Sequence, residues 1–269
     1  MPRLEVGGVG LFYQRLGSAG RPPIVLIMGW GGDHTAWAFQ VPVLAGEFDV
    51  IALDNRGAGQ SDAPDRPFTL ADMADDVAGL MDGLGVPAAH VAGASMGGMI
   101  AQELALRHPQ RVLTLQLHCT AAGVDGYGRL VIDNFLRAKA QGDVEQFARF
   151  SLPWLLTRQT FEEHPEFIET WIQRTVEYPH KTSLVGLSRQ AEAIRGHDTR
   201  SRLPSLRVPT LITTGTEDIL VAPAASEELH TLIPGSELRR VPGGAHMHFI
   251  EQFAAFNEIC LEFLRKHRG

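Results

Sequence analysis

The sequence predicts an α/β domain, a parallel sheet covered by helices on both faces. Three observations carry this. Continuous apolar runs recur at 22–29, 48–54, 89–95 and 111–119, the first bounded by Pro and Gly, as strands buried on both faces require. Between them lie stretches whose apolar residues repeat with a 3.6-residue period. After a long interval of helical text, the run VPTLITTG at 208–215 restarts the alternation. Buried strands alternating with helices imply parallel pairing through right-handed crossovers.

The elements follow in order. LFYQRL at 11–16 reads as an antiparallel strand, and PPIVLIMG, FDVIALD, AHVAGAS and RVLTLQLHC read as the buried ones. TLADMADDVAGLMDGLG places Leu70, Met73, Val77, Leu80, Met81 and Leu84 on one helical face, with Thr69 capping the start and Gly85 the end. MIAQELALRHP is a helix stopped by Pro109. From 123 to 205 no buried strand is found. Four helical stretches fill the interval: GRLVIDNFLRAKAQG, DVEQFARFSL, EEHPEFIETWIQRTVEY and KTSLVGLSRQAEAIR. A helix at 222–233, a strand SELRRVPG at 236–243 and a last amphipathic helix close the chain. That helix is expected to turn Phe249, Phe253, Phe256 and Phe263 inward. The expected organisation is one core, residues 1–122 and 206–269, interrupted by a helical insertion, 123–205, hinged near 121–123 and 202–209.

Composition narrows the function classes. With 44% hydrophobic residues, the 269-residue chain can bury one large core. A formal charge of −7 argues against nucleic acid or an anionic membrane as partner. Two cysteines in this length make no disulfide framework, so a reduced compartment is expected. MPRLEVGGVG lacks the basic start and apolar stretch of a signal peptide, and the longest aliphatic run, IVLIM at 24–28, is far too short to span a bilayer. A cytoplasmic protein is expected. Nothing in the sequence sets an oligomeric state.

The stretch HVAGASMGGM at 90–99 contains G-x-S-x-G, Gly93-Ala94-Ser95-Met96-Gly97, at a strand-to-helix junction. A serine hydroxyl becomes a useful nucleophile when a tight turn thrusts it clear of the sheet, and such a turn demands small neighbours. The N–H of Met96, at the helix start, is placed to stabilise a developing oxyanion. Of eleven histidines, His246 and His248 stand out. They follow the glycine-rich VPGGAHMH after the last strand, a loop that overhangs the carboxyl ends of the strands. Most of the others, including His34 and His197, sit in polar or helix-terminal text. TTGTEDILVAP offers Glu217 and Asp218 just past a buried strand, either of which can orient a histidine. A metal held by His246-x-His248 lacks a nearby third ligand.

These motifs together resemble the α/β-hydrolase family over nearly the whole chain. GASMGG looks like its nucleophile elbow, MGWGGDHTAW like its oxyanion loop, and DNRGAGQSD at 54–62 like a stretch common after the next strand. The resemblance implies a mostly parallel eight-stranded sheet with a helical cap formed by 123–205. It implies a triad of Ser95, Asp218 (G-x-x-D from Gly215) and His246, five positions before Glu251. It makes Trp30, after Gly29, the second oxyanion donor beside Met96. Where many members have His, this chain has Met28. The resemblance also gives Asp54, Asn55 and Arg56 a structural role.

The implied activity is hydrolysis of carboxylic esters or lactones through an acyl-enzyme, without metal or organic cofactor. Gly29, Trp154 and His248 are expected to border a small, hydrophobic substrate; an enol-lactone substrate would require one of the cap arginines to bind its carboxylate, while most of those arginines read as solvated helix faces. Rival activities sharing the triad are an enol-lactonase of aromatic catabolism, a carbon–carbon bond hydrolase and a cofactor-free haloperoxidase. Dehalogenases and epoxide hydrolases of this family carry Asp in place of Ser95. A ligand receptor on the same fold is the alternative outside enzymes.

Overall fold

The computed structural model describes residues 2–18 and 20–267. The chain runs β1 (Arg3–Val6), β2 (Val9–Leu16), β3 (Pro23–Ile27), α1 (Val41–Leu44), β4 (Asp49–Leu53), α2 (Leu70–Gly83), β5 (Ala89–Ala94), α3 (Met96–Arg107) and β6 (Val112–His118). Five helices come next: α4 (Gly126–Ala140), α5 (Val144–Leu155), α6 (Arg158–Glu163), α7 (Pro165–Glu177) and α8 (Leu184–Arg195). Then follow β7 (Thr210–Gly215), α9 (Pro223–Leu232), β8 (Glu237–Val241), α10 (His248–Glu251) and α11 (Phe253–Lys266).

The strands form one open eight-stranded sheet in the order β1-β2-β4-β3-β5-β6-β7-β8. Pairs β1/β2 and β2/β4 are antiparallel and the rest are parallel. The apolar runs have the expected cause. Along β3, Val25 and Ile27 face one core while Ile24 and Leu26 face another, and β4 alternates the same way. The first core takes α2, α3 and α9, and the second takes α1, α10 and α11. In α2, Thr69 and Asp72 form a reciprocal capping box, and Gly85 beyond the end adopts φ +66°.

Four expectations needed correction. The first antiparallel strand has a partner that was not anticipated, β1, whose residues are half-buried or exposed and so show no apolar run. The stretch EEHPEFIETWIQRTVEY is divided at His164, with Pro165 opening α7, because proline lacks the N–H needed inside a helix. The last amphipathic segment is broken at Gln252. That break resets the helical face, so Phe253 points outward and stacks on Phe39 instead of entering the core. His197, read as unremarkable, is buried beside Glu103.

The two ends of the five-helix segment lie together. Gly123 and Asp198 form an antiparallel bridge, and the Thr199 N–H donates to the Ala122 carbonyl at 2.8 Å. A charge cluster locks this junction to α3: Arg202 donates two bonds to the Glu103 carboxylate, at 2.8 and 2.5 Å. Burial alone would raise the Glu103 pKa. The Arg202 hydrogen bonds and charge, with His197 Nδ1 3.5 Å away, outweigh it and hold the group down at about 2. A carboxylate with a lowered native pKa binds its proton more readily in the unfolded chain. Its stabilisation is therefore present above the unfolded value and is lost as pH falls toward about 2. Glu103→Gln is expected to cost on the order of 2 kcal/mol at pH 7, after discounting for solvent screening, and less than half of that at pH 3. Urea titrations of both proteins across that range check this; a cost that does not shrink on acidification contradicts it.

Candidate active site

Ser95 closes β5 and opens α3 with φ 55° and ψ −121°. Among the described residues, Cys119, at φ 42°, is the only other non-glycine with positive φ. Close approach makes this turn possible. A Cβ on Gly93 would meet the Gly97 carbonyl oxygen at 2.2 Å, and one on Gly97 would meet that of Ile27 at 2.1 Å. Any larger residue would push α3 off the sheet. The turn is pinned by the Ser95 N–H to the His118 carbonyl (2.8 Å) and the Thr120 hydroxyl to the Ser95 carbonyl (2.7 Å). Gly29, after β3, lies against the serine: a Cβ there would stand 3.0 Å from Ser95 Cβ and 3.5 Å from Oγ. Met96, as the first residue of α3, has an N–H with no partner inside the helix.

Asp218 and His246 meet at the same end of the sheet, after β7 and β8. His246 Nδ1 lies 2.9 Å from Asp218 Oδ2, and both residues are buried. The other oxygen, Oδ1, accepts the N–H groups of Leu220 and Val221 at 2.9 Å each. The carboxylate is thus fixed from both sides. With Nδ1 committed to Asp218, the histidine keeps Nε2 for proton transfer. Glu217, the alternative acid, is exposed.

His248 belongs to the core. It is fully buried, its Nε2 lies 2.8 Å from Thr213 Oγ1, and its ring packs edge-on against Phe249 and Phe256. Burial lowers its pKa to about 4, so it stays neutral. It therefore does not border a substrate, contrary to the expectation from the sequence. The two imidazoles serve different partners, Asp218 and Thr213. Cys119, buried nearby, is no rival nucleophile: burial and the Asp218 charge push its thiol pKa well up.

Among the described residues one cluster, Asp33, His34 and Asp54, brings three potential metal-ligand atoms within 4.8 Å. Most of its oxygens are already engaged. Asp54 Oδ1 accepts the His34 N–H and faces its Nδ1, Oδ2 accepts the Gln60 N–H, and Asp33 accepts from Thr35. Asn55 donates to the Met28 carbonyl, and Arg56 forms a buried pair with Asp76. Asp54, Asn55 and Arg56 hold the turn.

Trp154 is half-buried on α5. Its ring lies 6.1 Å from that of Phe135, which lies 5.8 Å from Trp30. Phe161, Phe167 and Trp171 instead pack α5 to α7. In the five-helix segment, Arg149, Arg158, Arg189 and Arg195 are paired with acids.

The sequence reading missed what joins the five-helix segment to the site. Glu251, which had served only as a marker for His246, has a physical job. One oxygen accepts from the Thr157 N–H and from the hydroxyls of Thr157 and Thr160. The other accepts the Ala245 N–H, directly before His246. On the opposite side, the fully buried Gln190 and half-buried Thr182 reach the loop carrying Trp30. A glutamine on the inner face of α8, four residues after Gly186, was the available signal.

A family profile described as alpha/beta hydrolase fold matches residues 22–253. The chain belongs to the α/β-hydrolase fold family. This hydrolase is 32% identical over 264 residues to RutD, a putative carbamate hydrolase of Azorhizobium caulinodans, covering 98% of each chain. It superposes with TM-score 0.89 on the enol-lactonase of Burkholderia xenovorans, at 32% identity over 98% of this chain and all of that one. A thermophilic esterase of Thermogutta terrifontis, solved with malate bound, superposes with TM-score 0.88 at 28% identity over the full length of both. None of the helices of this hydrolase, among the described residues, is long and apolar enough to cross a membrane.

Proposed function

We propose that this hydrolase cleaves carboxylic esters or lactones of small, hydrophobic molecules through a serine-bound acyl intermediate. The observation that carries the reading is the buried His246–Asp218 pair, 2.9 Å apart, at the strand ends where Ser95 occupies its positive-φ turn. Ser95 Oγ attacks the substrate carbonyl and passes its proton to His246 Nε2. Asp218 holds the tautomer and stabilises the imidazolium. The N–H groups of Met96 and Trp30 receive the oxyanion. His246 then protonates the leaving alcohol, and the same histidine activates the water that releases the acid.

Residues 123–205 serve as a cap over a core of 1–122 and 206–269. Trp30, Phe135 and Trp154 supply an apolar wall, and Gly29 leaves room for the acyl carbon beside Ser95. The two buried free cysteines suit action in the cytoplasm. A carbamate, suggested by the name of the Azorhizobium relative, would be attacked in the same way.

A fluorophosphonate probe, with mass mapping of the tagged peptide, is expected to label Ser95. A panel of p-nitrophenyl esters, lactones and carbamates should show multiple turnover fastest on esters or lactones. Labelling elsewhere, or single turnover throughout, overturns the reading. Faster turnover of carbamates moves the substrate class while leaving the mechanism.

A further inference from the structure

We infer that Gln190 is the positioning residue of the oxyanion loop, so that helix α8 sets the aim of the Trp30 N–H. This rests on the serine-hydrolase reading above and deepens it.

The loop after β3 makes one bond of its own, from the Gly32 N–H to the Gly29 carbonyl at 3.2 Å, with Gly31 at φ +70°. In a planar trans peptide the N–H points opposite the carbonyl, so this bond turns the Trp30 N–H the other way. Three further bonds come from the five-helix segment. The Gly31 N–H donates to Gln190 Oε1 at 2.9 Å, Thr182 Oγ1 donates to the Gly31 carbonyl at 2.9 Å, and the Trp30 indole N–H donates to the Leu187 carbonyl at 2.8 Å. The backbone groups of Gly31 and the side chain of Trp30 are thus held from α8 and the residues just before it. With the direction of the Trp30 side chain and of the following peptide both fixed, the preceding peptide has little freedom left.

Gln190 is the centre of this arrangement because it uses both ends of its amide. Its Nε2 donates to the Arg56 carbonyl at 2.8 Å while Oε1 receives Gly31. It is fully buried. It therefore ties the loop after β3 to the turn after β4, and that turn is fastened to α2 by the buried Arg56–Asp76 pair. The helix cannot drift from this seat: a Cβ on Gly186 would stand 2.0 Å from the Gly57 carbonyl oxygen, so the two backbones touch.

An apolar side chain at 190 leaves the Gly31 N–H without its acceptor, and the glycine-rich loop can rotate to find another. Such rotation moves the Trp30 N–H off the oxyanion. The loss then falls on the transition state and spares substrate binding. Gln190→Leu is expected to lower kcat about 10- to 100-fold, up to the effect of losing one oxyanion donor. KM should stay within about threefold. Affinity for an alkyl boronic acid, which forms a tetrahedral adduct on Ser95, should fall by the same factor as kcat. Gln190→Glu can accept from Gly31 and, when protonated, donate to Arg56. It should recover activity relative to Gln190→Leu, more strongly as pH is lowered. Thr182→Val, with a smaller structural load, should lose about threefold to tenfold in kcat on the same logic.

A folded Gln190→Leu protein whose kcat and boronate affinity lie within twofold of the parent overturns the inference. So does a loss appearing only in KM or only in Tm. Should Gln190→Leu not fold, the Gln190→Glu pH profile and Thr182→Val decide by the same criteria. Ser95 labelling in the parent keeps the two readings apart: with labelling and no Gln190 effect, only this inference fails. Without labelling, the underlying mechanism fails and this inference with it.

Discussion

Ser95→Ala is expected to fold as the parent does and to lose about 10⁶-fold in kcat on an activated ester, the scale seen when a triad nucleophile is removed. The expectation of normal folding follows from the site. The Ser95 side chain makes no capping bond to α3, and alanine carries the same Cβ through the positive-φ turn, so no new strain arises. What disappears is the oxygen alone. KM for the same ester should change little, because Gly29 and the aromatic wall remain. Steady-state kinetics and a thermal melt on the same preparation check both halves. More than a tenth of the parent activity in a folded protein would falsify the acyl-enzyme mechanism.

Asp218→Asn should lower kcat by about 10⁴-fold while leaving KM and Tm near parental values. The direction follows from how the carboxylate is held. Oδ1 accepts two backbone N–H groups, from Leu220 and Val221, so an asparagine keeps its carbonyl oxygen there. Its NH₂ then faces His246 Nδ1 in place of Oδ2. Nδ1 must accept, the ring proton moves to Nε2, and the nitrogen needed as base for Ser95 is blocked. Glu217→Gln, at an exposed side chain, serves as the control and should stay close to the parent. A loss under tenfold in Asp218→Asn would show that the pair does not govern the tautomer.

Residues whose role is local were legible in the sequence, and residues whose role is distant were not. β3 and β4 announced themselves because strands buried on both faces fill with apolar side chains, and β5 and β6 kept enough of that pattern despite the buried polar His90, Thr114, Gln116 and His118. The elbow at Ser95 was legible because its turn excludes side chains on Gly93 and Gly97, positions two residues away. Thr69 and Gly85 marked the ends of α2 for equally short-range reasons. Edge strand β1 was silent because half its surface faces water, and the break at Gln252 was silent because no proline or glycine marks it. Nor did spacing reveal the duties of Gln190 and Glu251. Their partners lie 159 and 94 residues away, at Gly31 and Thr157, and only the folded sheet brings them near. His248 shows the converse hazard. Two residues from His246, it looked like a companion at the pocket, yet the turn into α10 sends its ring into the core.

The bridge between Gly123 and Asp198 makes the whole run of α4 to α8 leave and rejoin the sheet at one doorway. A different set of helices, longer or shorter, can be grafted at that doorway without altering the spacing of a single strand. Any such transplant must carry its own counterparts of Thr182 and Gln190, and a threonine-lined helix start for Glu251 to grip. Swapping the helices for a new substrate range is therefore easy for the scaffold and demanding for the catalyst.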